Sequence, residues 1–410
     1  MMLTPNLLNL TRLSLCASAC AVLVACAAVP EQSTAGQKSA AEIADIMLPK
    51  PDANGSYLFW TPEEQLVGYR NIEKIYKTRV IEAGGSPRQL PVSPQRLSVS
   101  YEYKGETWNI DTFMKRNNVA GMMVMHKGMV TLEEYRLGYG PGQRWTSFSV
   151  GKSISSTLAG VAIKDGYIDS VDDPVTKYLP GLKGSGYDGV SLRQIFNMTS
   201  GVKWSEDYAD PKSDVGRIRS AVADSDPDAM VSYMSKLPRE AEPGTKFSYK
   251  TGETHLIGSI VRAATGKHLA DYLSEKIWKP YGMEADAYWM LDSVGNEYAG
   301  CCISATLRDF ARFGLFFLNG AKVGEARVVE DSWIQQATAP SSADKGYGYQ
   351  WWLTDGPAYY ASGIFGQNIW IDPSRDLIIV TQSAYPTATD AASEAAFNGF
   401  VEAVTAKYPQ

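Results

Sequence analysis

The segment "RWTSFSVGKSISSTLAGVAIKDG", residues 144–166, contains a serine and a lysine at a spacing that could support nucleophilic catalysis. Ser149 and Lys152 are three residues apart, so on a helix their side chains would lie on the same face. A serine hydroxyl becomes a strong nucleophile only when a base removes its proton, and a desolvated lysine can be that base. A serine at the start of a helix also places the positive helix terminus near a developing oxyanion. The spacing is therefore compatible with acyl transfer through Ser149, with Lys152 assisting deprotonation.

Two other interpretations of this chemistry are less well supported. A phosphate-binding loop needs a glycine five residues before Gly151, and that position is Thr146. A histidine-based triad would have to draw on the three histidines of the chain, and no G-x-S-x-G nucleophile turn surrounds any serine. Those histidines are His126, His255 and His268.

The spacing alone is not specific, because it recurs at Ser342–Lys345 in a polar loop with no apolar helix after it. The Ser149 segment instead continues into apolar residues at helical spacing, which predicts a buried helix. A second stretch, "EPGTKFSYKTGETHLIGSIVRAATG" at residues 242–266, places Tyr249 after a Pro-Gly turn and before another amphipathic helix. Tyr249 could simply pack, or it could carry a proton.

The elements that must position these residues follow from the pattern along the chain. Residues 119–139 read as a hairpin around Lys127-Gly128, and residues 347–385 return to strand-like runs. Between about 190 and 300 the pattern predicts helices and long loops with little strand. We therefore expect an α/β fold: an antiparallel sheet built from both chain ends, flanked by helices, with an inserted all-helical lobe. The Ser149 helix would lie between the lobes, where small ligands usually bind.

Together these motifs resemble the serine β-lactamase and penicillin-binding-protein superfamily over about residues 100–405. The likeness includes "VSLRQIFNMTSGV", "ISATLRDFARFGLFFLNG", "YGYQWWL" and "SGIFGQNIWIDPSRDLIIV". Within it, "WSEDYADPKSD" and "YKTGET" resemble class C β-lactamase-like esterases and amidases, including 6-aminohexanoate-dimer hydrolases. The resemblance implies a β-lactamase/transpeptidase-like fold.

The resemblance also implies a role for each matching residue. Ser149 would be acylated, Lys152 would help to deprotonate it, and Tyr249 would pass a proton to the leaving group with its pKa lowered by that lysine. The backbone N–H groups of Ser149 and Ile364 would form the oxyanion hole, and Tyr208 would line the substrate cleft.

Two positions depart from the family pattern. The usual Tyr-x-Asn is Tyr249-Lys250-Thr251 here, and the usual Lys-Thr-Gly is Ala361-Ser362-Gly363. The first change removes an amide contact to the substrate, and the second removes the cation that meets the carboxylate of a β-lactam. Both changes disfavour antibiotic binding and leave the acyl-transfer residues in place.

The first thirty residues resemble a secretory signal, with Arg12, an apolar run and then small residues. Leu23-Val24-Ala25-Cys26 resembles a bacterial lipobox, which implies an exported, periplasmic protein tethered to a membrane surface by lipid on Cys26. A plain signal peptide cleaved near this point is the alternative. Of the remaining cysteines, Cys301 and Cys302 are expected to be small core residues, since adjacent cysteines rarely form a disulfide.

The predicted organisation divides the chain into five parts. They are a signal peptide with lipobox at 1–26, a flexible tether at 27–55, the first part of the α/β lobe with the Ser149 helix at 56–190, a helical lobe at 191–300 and the second part of the α/β lobe at 301–410.

The composition restricts the class of partner. The chain has 410 residues, a net charge of -6 and no Lys/Arg-rich run, so nucleic acid is not an expected partner. We expect an exported serine hydrolase that acts on small esters or amides without a metal or cofactor. The alternatives are a β-lactamase or peptidoglycan DD-peptidase, and a non-catalytic penicillin-binding-like protein that only binds its ligand. The sequence leaves the oligomeric state open.

Overall fold

The architecture is taken from a computed structural model that describes residues 48–50, 57–218 and 226–409. Cys26, the signal segment and nearly all of the tether lie outside these residues, so those predictions are not tested. Within the described ranges, no helix has both the length and the apolar character that crossing a bilayer requires.

Most strands lie towards the two ends of the chain, and a long run of helices separates them. The strands are β1 Thr78–Ile81, β2 Ser100–Tyr103, β3 Glu106–Asn109, β4 Val119–His126, β5 Met129–Tyr135, β6 Trp145–Thr146, β7 Ala287–Met290, β8 Ile303–Ala305, β9 Lys322–Val323, β10 Ala326–Arg327, β11 Trp352–Leu353, β12 Tyr359–Gly363, β13 Gln367–Asp372 and β14 Leu377–Ser383. The α-helices are Pro62–Gly68, Ile72–Ile75, Ile110–Arg116, Val150–Lys164, Val175–Tyr178, Leu192–Phe196, Asp214–Arg217, Ala229–Met234, Thr251–Thr265, Leu269–Leu273, Lys279–Tyr281, Leu307–Leu318, Trp333–Ala337 and Ala391–Thr405. Short 3₁₀ turns occupy Tyr57–Phe59 and Pro180–Leu182, and a π-helical turn occupies Ser274–Trp278.

The main sheet contains strands from the first and the last parts of the chain, as the sequence predicts. Its six strands lie in the order β11-β12-β13-β14-β4-β5, and every neighbouring pair is antiparallel. Strand β14 pairs with β4, so a strand from the last part of the chain lies beside one from the first part. The α/β fold class with an antiparallel sheet and flanking helices is therefore confirmed.

Alternating side chains of β4 enter different cores. Met123 and Met125 join the larger core, which also contains the Val150–Lys164 helix. Met122 and Val124 join a smaller core on the opposite face, together with aromatic residues of the Ile110–Arg116 and Ala391–Thr405 helices. This two-residue period is the one expected of a strand that is covered on both faces.

A second sheet was not predicted. Strand β7 lies in the stretch expected to contain little strand, and it pairs with β1 and β8 in a four-stranded sheet of order β1-β7-β8-β6. Its sequence, Ala-Tyr-Trp-Met, is too short to show alternation, and the pairing partners come from distant parts of the chain. The proposed lobe boundaries at 190 and 300 stay predictions.

Candidate active site

Ser149 stands at the start of the Val150–Lys164 helix, directly after a residue with an unusual backbone. Phe148 has φ of 43°, in the left-handed region, and its ring packs between Tyr69 and Phe365 at centroid distances of 4.9 and 5.3 Å. Non-glycine residues adopt this conformation only where their surroundings hold them in it. Aromatic packing around Phe148 therefore fixes the turn that presents Ser149.

The helix behind Ser149 is buried on nearly all sides, and three of its serines attach it to neighbouring segments. Ser153 and Ser156 donate hydrogen bonds to the carbonyl oxygens of Gln350 and Tyr349 at 2.6 and 2.9 Å. Ser155 donates to the carbonyl oxygen of residue 299 at 2.7 Å. Because buried hydroxyls are costly without partners, these bonds explain how a serine-rich helix occupies a core.

Lys152 is buried and is held by three acceptors. Its Nζ lies 3.2 Å from Oγ of Ser149, 2.9 Å from Oγ1 of Thr251 and 2.6 Å from the carbonyl oxygen of Gly300. Burial lowers the pKa of Lys152 to about 8, and the negative charge of Glu206 partly opposes that shift. An appreciable fraction of this lysine is therefore a free amine near neutral pH, within reach of the Ser149 proton.

Tyr249 lies beside the same pair. Nζ of Lys152 is 5.3 Å from the centroid of its ring, which stacks on Trp352 at 5.5 Å. Burial, and then the charge of Glu206, raise the pKa of Tyr249 well above that of a free phenol, and its hydrogen bond with Ser149 only partly opposes them. The expectation that Lys152 lowers the pKa of Tyr249 is therefore wrong. Tyr249 stays a protonated phenol, which suits donation of a proton better than removal of one.

Glu206 is a site residue that the sequence analysis did not single out. Its carboxylate accepts hydrogen bonds from the backbone N–H of Thr251 at 2.9 Å, from the Thr251 hydroxyl and from the hydroxyl of Tyr208 at 2.7 Å. The indole N–H of Trp204 also donates to it. Glu206 lies two residues before Tyr208 in the family-like "WSEDY" stretch. An acidic residue at this position was the feature of the sequence that could have identified it.

Strand β12 passes directly beside the backbone of Ser149. A Cβ built on Gly363, the last residue of β12, would lie only 2.7 Å from the Ser147 carbonyl oxygen and 2.9 Å from the Ser149 nitrogen. Glycine is therefore required for this approach. The next residue, Ile364, lines the same cavities as Ser149. This arrangement brings together the two residues whose N–H groups the resemblance assigns to the oxyanion hole.

Two cavities meet at Ser149, and Tyr208 and Ile364 line both of them. The first, which we call the inner pocket, is mostly apolar and is lined by Tyr57, Leu58, Phe148, Ser149, Lys152, Tyr208, Val215, Gly216, Ile218, Thr251, His255, Tyr298, Gly300, Cys301 and Ile364. The second, which we call the outer cleft, is lined by Ser149, Tyr208, Tyr249, Trp352, Tyr360, Ser362, Gly363, Ile364, Gly366, Asn368, Tyr385, Ala388, Thr389, Glu394, Phe397 and Asn398.

The wall of the inner pocket contains a disulfide that was not predicted. Cys301 and Cys302 are buried, as expected, but they are bonded to each other, with Cα atoms 3.7 Å apart. The prediction of two reduced core cysteines is therefore wrong. The backbone at Cys302 has φ of 70°, a turned conformation in which two adjacent side chains can meet. The residue before the pair, Gly300, is the one whose carbonyl oxygen holds Lys152.

The structure also gives the surroundings of three other residues considered from the sequence: His255, Ser342 and Ala361. His255 lines the inner pocket, where its Nδ1 accepts a hydrogen bond from the Gly300 N–H at 3.3 Å. Ser342 lies in an exposed loop, where it contacts the Gly244 carbonyl oxygen at 3.5 Å. Ala361, in the position of the family's lysine, is fully buried, and its neighbour Ser362 lines the outer cleft.

Comparison with known proteins agrees with this geometry. Residues 109–401 match the family model described as Beta-lactamase. A 6-aminohexanoate-dimer hydrolase of Paenarthrobacter ureafaciens is 34% identical over 284 residues, which are 64% of this chain and 72% of that protein.

Two solved structures have a similar fold. A candidate 6-aminohexanoate-dimer hydrolase from Bacillus anthracis superposes with a TM-score of 0.77 at 22% identity, and the match covers 89% of this chain and all of that one. A penicillin-binding protein homologue from Caulobacter crescentus has a TM-score of 0.56 at 15% identity, covering 72% of this chain and 96% of the other.

Proposed function

The chain belongs to the Beta-lactamase family and is a hydrolase of the β-lactamase fold, and from this premise we propose that it hydrolyses small linear amides, and esters, through an acyl intermediate on Ser149. The observation that carries the proposal is the buried Lys152, whose Nζ lies 3.2 Å from the Ser149 hydroxyl oxygen and whose pKa is lowered to about 8. The similarity to a 6-aminohexanoate-dimer hydrolase favours linear amides as substrates.

In the acylation step, the free amine of Lys152 takes the Ser149 proton as Oγ attacks the carbonyl carbon. The N–H groups of Ser149 and Ile364 would stabilise the oxyanion of the tetrahedral intermediate. When the carbon–nitrogen bond breaks, Tyr249 gives its phenolic proton to the leaving nitrogen and receives one from the Lys152 ammonium. The amine departs neutral, and the acyl group remains as an ester of Ser149.

In the deacylation step, water replaces the amine and the same groups act in the reverse direction. Water adds to the ester carbonyl as its proton passes to the Tyr249–Lys152 pair. Collapse of the second intermediate releases the carboxylic acid and returns a proton to Oγ of Ser149. The high pKa of Tyr249 is compatible with both steps, because its proton is exchanged with a neighbour and a stable phenolate never has to form.

The two alternative functions lack support from particular residues. A β-lactamase or DD-peptidase would need a cation for the substrate carboxylate, whereas Ala361 is buried and no Lys, Arg or His is among the described residues that line the outer cleft. A protein that only binds a ligand gains nothing from burying Lys152 beside Ser149 and Tyr249, because taking the ammonium group of a lysine out of water costs free energy.

The test is a substrate panel with one nucleophile variant. We expect purified protein to hydrolyse p-nitrophenyl butyrate and N-butanoyl hexylamine, and Ser149→Ala to lose both activities by about 10³-fold or more. A fluorophosphonate probe should label the wild type and Ser342→Ala equally and leave Ser149→Ala unlabelled. Retained labelling of Ser149→Ala, or faster hydrolysis of nitrocefin than of the ester, would overturn the proposal.

We also propose that the protein is exported and anchored to a membrane surface through lipid on Cys26. The support is the sequence alone: an apolar run after Arg12 that ends in Leu23-Val24-Ala25-Cys26.

A further inference from the structure

The lining of the outer cleft carries a negative charge, whereas a site for an anionic substrate would be expected to carry a positive one. Among the described residues that line it, Glu394 is the single ionisable acid, and none is Lys, Arg or His. Glu394 lies in the first turn of the Ala391–Thr405 helix, one turn after the capping residue Asp390. Partial burial and then the negative charge of Asp390 raise the pKa of Glu394.

A row of parallel aromatic rings leads from the reacting centre towards this carboxylate. Tyr249 stacks on Trp352 with centroids 5.5 Å apart, and Trp352 stacks on Tyr360 with centroids 6.4 Å apart, both with interplanar angles of 19°. Tyr360 is close enough to Glu394 for the carboxylate charge to affect its pKa. Aromatic rings pack against methylene chains, and the negative charge of Glu394 attracts a cation, so this wall suits an alkylammonium group better than an alkylcarboxylate.

The position of Tyr249 indicates which half of the substrate enters each cavity. The proton donor must reach the leaving nitrogen, and Tyr249 lines the outer cleft but not the inner pocket. The leaving amine therefore belongs in the outer cleft. The acyl chain then enters the inner pocket, where Leu58, Val215 and Ile218 supply an apolar lining.

We propose that Glu394 is a specificity-determining residue that selects leaving groups with a positively charged end, such as the second ammonium of a diamine. This inference rests on the proposed amide hydrolysis and adds a charge preference to it. The ammonium would lie against the Glu394 carboxylate, and its methylene chain along Trp352 and Tyr360. A leaving group that ends in a carboxylate would meet Glu394 and Asp390 and would be disfavoured.

The experiment uses three amides with one acyl group and one scissile bond. They are the N-butanoyl derivatives of 1,6-diaminohexane, hexylamine and 6-aminohexanoate, whose far ends are cationic, neutral and anionic. We expect kcat/KM of the full-length protein to fall in that order, with the cationic substrate preferred over the neutral one by roughly fivefold, as for a partly exposed ion pair. Glu394→Gln should abolish the preference, Glu394→Lys should reverse it, and added salt should weaken it.

The matched control is Glu402→Gln, which removes an exposed carboxylate from the same helix at a position that does not line the outer cleft. It should keep the wild-type preference. A flat response of wild type to the charge of the leaving group, or a preference that survives Glu394→Gln, would overturn the inference.

A second measurement separates this inference from the proposed function. The diamine 1,6-diaminohexane should slow fluorophosphonate labelling of wild type and of Glu402→Gln, and Glu394→Gln should lose that protection. If no amide is hydrolysed but Glu394→Gln loses the protection, the amide substrate is wrong and the charge selection holds. If amides are hydrolysed and Glu394→Gln is protected as well as wild type, the charge selection is wrong and the amide hydrolysis holds.

Discussion

Glu206 binds Thr251 through both of its carboxylate oxygens, one accepting from the backbone N–H at 2.9 Å and the other from the side-chain hydroxyl. Because that hydroxyl donates to Glu206, its oxygen is left to accept a hydrogen bond from Lys152. The threonine that stands where the family usually has asparagine is thus a link between an acid and Lys152. Glu206 acts on Lys152 through this link and through its charge.

Replacing Glu206 with glutamine should move the pH dependence of the reaction. In the proposed mechanism Lys152 acts as a free amine, so kcat/KM should rise with pH through its pKa of about 8. Glu206→Gln removes a charge that raises this pKa, so the acidic limb of the kcat/KM profile should shift to lower pH. Asp207→Asn, at an exposed neighbouring acid, is the control and should leave the limb in place. An unshifted limb in Glu206→Gln would show that Glu206 has only a structural role.

Adding one methyl group to Gly363 should disturb the oxyanion site. The new Cβ would press against the Ser147 carbonyl and the Ser149 nitrogen, so one of the two N–H donors has to move. We expect Gly363→Ala to lower kcat for p-nitrophenyl butyrate by about 10²-fold or more, as loss of one such donor does in other hydrolases. Gly356→Ala, where the nearest atom would be 3.8 Å away, should be close to wild type. A fully active Gly363→Ala would show that the oxyanion of the intermediate does not bind beside Gly363.

Removing the hydroxyl of Tyr249 should slow the hydrolysis of amides more than the hydrolysis of activated esters. An amine leaves only when it is protonated, whereas nitrophenolate leaves without a proton. Tyr249→Phe keeps the stacking on Trp352, so we expect kcat for N-butanoyl hexylamine to fall by roughly 10²-fold and that for p-nitrophenyl butyrate to fall less.

The matched control for this prediction is Tyr347→Phe. Its ring lies 6.0 Å from that of Tyr249, but it lines neither the inner pocket nor the outer cleft. It should change the two rates little and by the same factor. Equal losses on amide and ester in Tyr249→Phe would assign its hydroxyl to positioning Ser149.

The proposed lipid anchor can be tested on the protein isolated from membranes. Mass spectrometry should find a mature chain that starts at Cys26 and carries acyl groups, and Cys26→Ser should release the protein into the soluble fraction. A mature chain that starts downstream of Cys26 without lipid would instead indicate a signal peptide that is simply cleaved.

The site could be predicted best where its residues are local in sequence. Ser149 and Lys152 are three positions apart, so helical geometry alone predicted that their side chains meet, and the 3.2 Å contact agrees. Tyr249 and Ile364 came from the family resemblance, which carries the long-range information that spacing lacks. Glu206 was missed because its bond to Thr251 joins a loop to a helix across 45 positions.

The errors in the site concern the environment of side chains, which composition does not show. Lys152 was expected to lower the pKa of Tyr249, but burial of the phenol and the charge of Glu206 raise that pKa. The Cys301–Cys302 bond depends on a backbone turn at Cys302 that neither residue's type predicts. Strand β7 is short and was recognisable only through its partners, β1 and β8.

The pairing of β14 with β4 has a consequence for the order in which the enzyme becomes competent during synthesis. A ribosome produces Ser149, Lys152 and Tyr249 before it reaches Gly363 and Ile364, which would complete the proposed oxyanion site, and the pairing with β4 waits for β14. A nascent chain that stops before β12 therefore contains the whole nucleophilic apparatus without the strand that supports it. We expect such incomplete chains to be inert towards acylating reagents until translation is nearly complete.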